Sequence, residues 1–323
     1  MPSLKRRFVL ISQEEIIRHV ESRDTRFKSL LKLAASFIYC SIALFITSFT
    51  MVLVHDRVPD MSKYPPLPDL ILDSLPYIPG AFEMCEMIGL FMSSIWLMIL
   101  FFHQHRIIIA RRMFSLVGTV FLLRCVTMLL TSLSVPGSHL ECKARNFETL
   151  KEKLWQAYNI WIHGGMSIQG VRTCGDYLFS GHTSLITLLN HFISEYTPES
   201  WHGLHSLIWT LNCFGIFFIL AAKEHYSIDV FVAFYISSRL FLHYHNLAYH
   251  SQMSNDWRVK YWFPLGWLFE SGSIGRVPNK FEIPFIFADD SEESTSIVRT
   301  EVEEIVTEDD KSDISNQNDK KIS

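Results

Sequence analysis

Apolar residues recur along the chain in six long runs separated by shorter polar stretches. The runs lie near 33–54, 84–102, 113–130, 179–194, 204–222 and 226–243. A membrane-spanning helix needs about 20 mainly apolar residues, and the first, second and fifth runs meet this length. The other three are shorter or carry polar residues, as expected of helices that line a cavity instead of facing lipid. The pattern predicts an all-α polytopic membrane protein with six transmembrane helices.

Composition agrees with this class and sets the two ends of the chain apart. Hydrophobic residues make up 49% of the chain and aromatic residues 14%, more than an ordinary soluble domain carries. Residues 289–323 hold twelve acidic and four basic residues, which predicts a solvated, disordered tail or a partner-binding one. The remaining predicted parts are an N-terminal cytosolic segment (1–32) with an amphipathic helix over 12–31, a six-helix catalytic domain (33–245) and a cytosolic juxtamembrane segment (246–288).

The distribution of basic residues predicts the orientation in the membrane. Eight Lys or Arg precede the first run, and Arg106, Arg111 and Arg112 stand between the second and third. Only Arg57 and Lys63 stand between the first and second runs. Because basic loops stay in the cytosol, the N-terminus is predicted there, and six crossings return the C-terminus to the same side.

Candidate catalytic residues stand where two of the apolar runs begin. His182 follows Ser180 and Gly181 at the start of the fourth run, and His225 opens the sixth with Asp229 four residues later. Residues four apart share a helix face, so Asp229 can hold the His225 imidazole in one tautomer. The predicted topology brings both histidines to the lumenal face. This pattern indicates nucleophilic and acid–base chemistry at a membrane surface.

Two charged residues inside the apolar runs need a partner or a task. A charge in the bilayer costs about 2.5–3.5 kcal/mol or more, so either Arg124 contacts an anionic phosphodiester or it pairs with Glu86. No Walker loop, zinc-binding pattern or other metal motif is present, so the sequence calls for no metal and no cofactor. Cys142 and Cys174 share one predicted lumenal loop, where a disulfide and two free thiols are both open alternatives.

Several segments resemble the sphingomyelin synthase family. CGDYLFSGHT and HYSIDV are similar to its two signature motifs, and the resemblance covers about residues 60–285. It also includes PPLPD at 65–69, the stretch 111–137 and FYISSRLFLHYH at 234–245. The middle of the chain resembles the sphingomyelin synthase-related branch, which is associated with ceramide phosphoethanolamine synthesis. That branch usually has an N-terminal sterile-α-motif domain, for which the roughly 32 residues before the first predicted helix are too few.

The resemblance implies a fold and an activity. The fold would have a lipid phosphate phosphatase-like catalytic core with His182, His225 and Asp229 as its triad. The activity would transfer phosphoethanolamine or phosphocholine from phosphatidylethanolamine or phosphatidylcholine to the primary hydroxyl of ceramide, releasing diacylglycerol. The expected partners are therefore membrane lipids and not nucleic acid, with a homo-oligomer left open. The expected location is the endoplasmic reticulum or Golgi, with the plasma membrane as the alternative.

Two other functions remain as alternatives at this point. Lipid phosphate phosphatases carry a Ser-Arg pair before the second histidine, where this chain has Phe218 and Ile219. A phosphodiester carries one negative charge and needs fewer cations than a phosphomonoester, so the missing arginine favours a diester donor over a phosphatase substrate. A non-catalytic ceramide-binding protein would have no need for Asp229 behind His225.

The choice of head group depends on residues beside the motifs. Glu224 precedes His225, and its carboxylate suits a small ammonium that donates hydrogen bonds, whereas choline donates none and prefers aromatic faces. Lys223 stands where the family usually has histidine, which weakens the preference. Ethanolamine is favoured and choline is the alternative. The candidate substrate-binding residues are Glu86, Arg124, Asp176, Ser180 and Glu224.

Overall fold

A computed structural model describes residues 22–60, 63–131, 133–137, 149–166, 168, 177–249 and 264–282. Within these ranges the regular elements are helices, and the one β contact is an isolated bridge between His103 and Phe281. The helices are α1 (Arg26–His55), α2 (Leu70–Ser74), α3 (Ala81–Phe102), α4 (Arg106–Leu130), α5 (Leu150–Ile162), α6 (Gly181–Glu195), α7 (His202–Ala221), α8 (Ser227–Tyr249) and α9 (Pro264–Glu270). All of them belong to one compact unit, Met1–Phe281.

Each of the six predicted apolar runs lies in a helix, which confirms the all-α class. In the described part of the chain, α1, α3, α4 and α7 are long and apolar enough to cross a membrane. The protein is therefore an integral membrane protein. The 15 residues of α6 extend only about 22 Å, less than the hydrocarbon core of about 30 Å. That all six helices cross the bilayer stays a prediction.

The start of α1 differs from the predicted boundary. Residues 22–25 are not helical, and the Thr25 side chain caps the helix by accepting a hydrogen bond from the Lys28 N–H. The last part of the predicted helix over 12–31 therefore belongs to α1, and its residues before Ser22 lie outside the described chain. A hydroxyl that can satisfy the first free N–H groups sets the start of the helix here, ahead of the apolar run.

The short helix α6 is the centre of the bundle. It packs against α3, α4, α7 and α8, and its polar residues Ser184, Thr187 and Asn190 are fully buried. Phe192 and Ile193 on the same helix join the main hydrophobic cluster. Because other helices surround α6, it does not need the continuous apolar surface of a lipid-facing helix. This explains why its run is the least apolar in appearance.

The helix α5 was not predicted, since its residues were assigned to a lumenal loop. Thr149 caps it by accepting a hydrogen bond from the Glu152 N–H. Ala157 and Ile160 pack on a small hydrophobic cluster formed by the C-terminal part of α1 and by α4. A threonine three residues before a glutamate is a recognised start signal for a helix, so this element was detectable.

At the end of the bundle opposite α5, a charge cluster is buried between α1, α4 and α9. Its members are Asp24, Lys32, Arg111, Arg112 and Glu270. Arg112 Nη2 lies 2.7 Å from Glu270 Oε2, and Arg111 Nη1 lies 3.3 Å from Asp24 Oδ2. Both arginines are fully buried within α4, so counting them as loop residues for the orientation was wrong. The side of the membrane on which this end lies stays a prediction.

Candidate active site

His225 and Asp229 form a close pair at the start of α8. His225 lies in the turn just before the helix, and its Nδ1 is 3.5 Å from Asp229 Oδ2. The Asp229 side chain is completely buried, and its two oxygens accept hydrogen bonds from the backbone N–H groups of Leu178 (2.8 Å) and Tyr226 (2.9 Å). The carboxylate is thereby fixed within 3.5 Å of the imidazole, and that Asp229 holds His225 in one tautomer stays a prediction.

The first motif, CGDYLFSGHT, is hydrogen-bonded to the same carboxylate of Asp229. Leu178 adopts a left-handed backbone conformation with φ of 74°, which is uncommon for a non-glycine residue. The hydrogen bond from the Leu178 N–H to the Asp229 carboxylate stabilises this conformation. The Ser180 N–H donates to the Asp229 backbone carbonyl at 3.3 Å. The starts of α6 and α8 are therefore joined side by side, which places His182 and His225 at one end of the bundle.

Ser180 has a structural task. It is fully buried, and its Oγ accepts hydrogen bonds from the Thr183 N–H (3.3 Å) and the Thr183 hydroxyl (3.0 Å), so it caps α6. The Ser180 hydroxyl is thus used in the cap of α6, and the prediction that Ser180 binds substrate stays a prediction. A serine before a helix serves as an N-cap more often than as a ligand-binding group.

His182 has a carboxylate partner of its own. Its Nε2 lies 3.3 Å from Glu86 Oε1, and the Phe82 ring meets the imidazole edge to face at 4.8 Å. Glu86 is buried, and its Oε2 accepts a hydrogen bond from the Ile168 N–H at 2.9 Å. A quarter of the His182 side chain remains exposed. Glu86 is therefore placed to orient His182, a role that the sequence did not indicate because the two residues lie on different helices.

Arg124 holds the backbone of the first motif. Its Nε donates to the Phe179 carbonyl at 2.8 Å, and the guanidinium crosses the start of α6. A Cβ at Gly181 would lie 3.2 Å from the guanidinium carbon, so glycine leaves room for this contact. Both hypotheses for Arg124, pairing with Glu86 and contact with a phosphodiester, stay predictions.

Of the two remaining predicted site residues, Glu224 is described and Asp176 is not. Glu224 lies half-buried in the turn between α7 and α8, next to Lys223, whose φ of 53° marks a tight left-handed turn. Asp176 lies outside the described residues, and so do Cys142 and Cys174. Their predicted roles therefore stay predictions.

The sequence did not indicate a set of hydrogen bonds that joins two loops to the start of α8. Asp69 Oδ2 accepts from the Ser227 N–H at 2.7 Å, and Oδ1 accepts from the Ser227 hydroxyl at 2.6 Å. The Tyr226 hydroxyl donates to the Ser134 carbonyl at 2.9 Å and accepts from the Leu67 N–H. Burial favours a higher pKa for Asp69, but the hydrogen bonds from Ser227 and from the Leu72 and Ile71 N–H groups together outweigh it and lower the pKa. An aspartate just before a short apolar helix is an N-cap signal that identifies Asp69.

Two imidazole–carboxylate pairs, His225 with Asp229 and His182 with Glu86, lie at one end of the bundle. An imidazole backed by a buried carboxylate can act as a nucleophile or a proton acceptor, because the carboxylate stabilises the positive charge that the ring gains. Within the described residues, no group of three or more His, Cys, Asp or Glu is arranged to hold a metal ion. The two imidazole–carboxylate pairs can support a displacement reaction in which side chains transfer the proton.

Comparison with known proteins gives a family match and several close relatives. Residues 173–246, which contain both motifs, match the family described as PAP2 superfamily C-terminal. The chain is 62% identical over 277 residues to sphingomyelin synthase-related 1 of Caenorhabditis elegans, covering 85% of this chain and 57% of that protein. It is 56% identical over 254 residues to the human sphingomyelin synthase-related protein 1, covering 79% of this chain and 61% of that protein.

A more distant relative is covered more completely. Phosphatidylcholine:ceramide cholinephosphotransferase 2 of Rattus norvegicus is 36% identical over 259 residues, which are 78% of this chain and 71% of the relative. By contrast, the chain spans only about three fifths of the length of the two proteins above.

Proposed function

Because this chain belongs to the sphingomyelin synthase family, we propose that it transfers a phospho-head group from a glycerophospholipid to the primary hydroxyl of ceramide. The observation that carries this proposal is the presence of two imidazole–carboxylate pairs, His225 with Asp229 and His182 with Glu86. A two-step transfer needs one nucleophile and one group that both gives and takes a proton. The two pairs match these requirements.

The proposed scheme gives each histidine a different role. Nδ1 of His225 faces Asp229, which leaves Nε2 to attack phosphorus. A P–N bond forms, the bond from phosphorus to the diacylglycerol oxygen breaks, and His182 gives that oxygen a proton. In the second step His182 takes the proton of the ceramide hydroxyl, whose oxygen attacks phosphorus and breaks the P–N bond. Asp229 stabilises the charge on His225 throughout.

Head group and location belong to the same proposal. Glu224, half-buried beside the catalytic turn, favours phosphoethanolamine over phosphocholine because an ammonium can donate hydrogen bonds to its carboxylate. Both termini would be cytosolic and the active site would face the lumen of the endoplasmic reticulum or Golgi, following the positive-inside rule. Phosphatidylethanolamine, phosphatidylcholine, ceramide and diacylglycerol are the lipids that the site would handle.

The first prediction concerns the product and its stereochemistry. Protein in vesicles with ceramide and equal amounts of the two phospholipids should form phosphosphingolipid and diacylglycerol in equal amounts, mainly with the ethanolamine head group. A donor with a chiral phosphorothioate should give product with retained configuration, because two displacements each invert phosphorus. Thin-layer chromatography, mass spectrometry and phosphorus NMR measure these outcomes, with His182→Ala as the inactive reference.

Three other outcomes would each contradict part of this scheme. Release of the head group into water without phosphosphingolipid would identify a hydrolase. Binding of ceramide with no turnover would identify a non-catalytic protein. Inverted configuration would exclude the phosphohistidine and leave His225 as a base.

The second prediction concerns Glu86. Glu86→Gln keeps the shape of the side chain but removes the charge beside His182, so kcat should fall about 10- to 100-fold with little change in KM, less than the ~10²–10⁴ that a general acid–base contributes. Glu83→Gln is the matched control, because Glu83 is an exposed residue in the first turn of the same helix. Equal activity of both variants would remove Glu86 from the mechanism.

A further inference from the structure

The helix α5 runs antiparallel along the C-terminal part of α1. Near its start, Lys153 Nζ lies 2.6 Å from Asp56 Oδ2, just after the end of α1. Near its end, the Trp161 ring meets the Phe45 ring edge to face, with centroids 6.3 Å apart. Between these contacts, Ala157 packs in the cluster that contains the last part of α1. These contacts fix the direction of α5, from the end of α1 towards its middle.

This path carries α5 to a large depth if α1 crosses the membrane. Phe45 precedes Asp56 by eleven residues, which is about 16 Å along the helix axis at 1.5 Å per residue. The apolar part of α1 ends at Val54, so Trp161 lies about half-way through a hydrocarbon core of about 30 Å. A 13-residue helix cannot span the membrane but is long enough to reach this depth.

The charge distribution along α5 agrees with such a path. Its charged residues, Lys151, Glu152 and Lys153, all lie in the first turn, and residues 154–162 contain none. The exposed face of the remainder is apolar and aromatic and consists of Leu154, Trp155, Tyr158, Trp161 and Ile162. Ile42 and Ile46, on either side of Phe45 on α1, are exposed and apolar as well. A helix lying in water would not separate its charges in this way.

The turn after α5 directs N–H groups back to the carbonyls at the end of the helix, which reduces the number of unpaired groups that a turn within a membrane would expose. Gly164 and Gly165 both have left-handed φ values, 60° and 66°, which reverse the chain. The Gly165 N–H donates to the Ile160 carbonyl at 2.9 Å and the Gly164 N–H to the Trp161 carbonyl at 3.2 Å. Soon afterwards the Ile168 N–H reaches Glu86, so the chain returns to the catalytic end of the bundle.

From these observations we propose that α5 is a re-entrant helix. It enters the leaflet that borders the catalytic histidines and turns back near the middle of the bilayer. Its exposed aromatic face contacts the acyl chains of that leaflet, which are the occupants that match an uncharged surface on a helix packed along a membrane-spanning one. The turn that follows this face is followed by Ile168, whose N–H contacts Glu86.

Depth-dependent quenching tests this proposal without any measurement of turnover. Single cysteines replace Lys151, Tyr158 or Ile162, all exposed, in a background with the cysteines at 142, 174 and 213 changed to serine. Each carries an environment-sensitive fluorophore in phosphatidylcholine vesicles that contain lipids with a nitroxide at acyl carbon 5 or 12. The label at 151 should be quenched by aqueous iodide, and the label at 162 more by carbon 12 than by carbon 5. Ile46→Cys on α1 provides the deep reference.

Two results would overturn the proposal. Equal iodide quenching at 151 and 162 would mean that α5 lies in water. Stronger quenching by carbon 5 than by carbon 12 at all three positions would mean that α5 lies flat at the membrane surface. Since neither result depends on catalysis, the proposal stands or falls separately from the phosphotransferase activity.

Discussion

His225→Gln and Asp229→Asn are both expected to reduce transfer to ceramide by at least about 10³-fold, but only Asp229→Asn should also lower thermal stability. Loss of the nucleophile removes the first displacement in the proposed scheme. Loss of the orienting carboxylate costs about 10⁴-fold in serine proteases, where an aspartate plays the same role towards a histidine.

The difference in stability follows from the hydrogen bonds of Asp229. Its two oxygens accept from the Leu178 and Tyr226 N–H groups, and asparagine offers one oxygen and one NH₂ group to these two donors. One buried N–H would then face another donor, at a cost of about 1–3 kcal/mol. His225→Gln leaves both bonds in place.

Transfer rates in vesicles and thermal unfolding in detergent measure the two effects. An active His225→Gln protein would remove this residue from the chemistry. Unchanged stability of Asp229→Asn would show that the two N–H groups do not depend on the carboxylate.

The second large effect is expected at the buried charge cluster. Arg112 contacts Glu270 at 2.7 Å and also donates to the Tyr196 hydroxyl and to the Gly275 carbonyl. Arg112→Met leaves Glu270 without this partner, and breaking one side of a buried ion pair costs about 3–5 kcal/mol. Arg239→Met is the matched control, because Arg239 is exposed on α8 and its loss should cost less than about 1 kcal/mol.

Acid titration gives an independent view of the same pair. Burial would raise the pKa of Glu270, but Arg112 and Arg111 outweigh it and lower the pKa from 4.5 to about 2. A carboxyl with a lowered pKa in the folded protein stabilises it above its unfolded pKa. That stabilisation is lost as the pH falls from about 4.5 to about 2.

Unfolding temperatures between pH 6 and pH 3 would measure both predictions. The Arg112→Met protein should be less stable and should lose less on acidification than the parent protein. In Arg112→Met/Glu270→Met, part of the lost stability should return, because no buried charge is left unpaired. Equal stability of the Arg112 and Arg239 variants would contradict a stabilising role for the pair.

Local patterns made much of the fold and the centre of the site predictable. Long apolar runs identify helices because a bilayer or a protein core must cover them. The pair formed by His225 and Asp229 is readable because four residues make about one helical turn. The sequence also placed His182 at the start of a helix, where the structure has it.

Contacts between segments that are distant in sequence could not be predicted. Glu86 and His182 meet only because α3 packs against α6, and nothing in the spacing of the two residues reveals this packing. The burial of Arg112 could not be predicted for the same reason. Its charge indicated a loop, but an ion pair with Glu270, which is distant in sequence, allows it to be buried. Asp69 and α5 could have been predicted, because both carry helix-capping patterns that lie outside the apolar runs.

The hydrogen bonds of Asp229 have a consequence for the newly made protein. The carboxylate is fixed only when the segment before α6 and the turn before α8 have come together, because each supplies one N–H group. Before these helices dock, His225 has no oriented partner. A chain that is inserted but not yet assembled would therefore hold its histidines without the arrangement that the proposed transfer needs, and that arrangement would form only in the completed bundle.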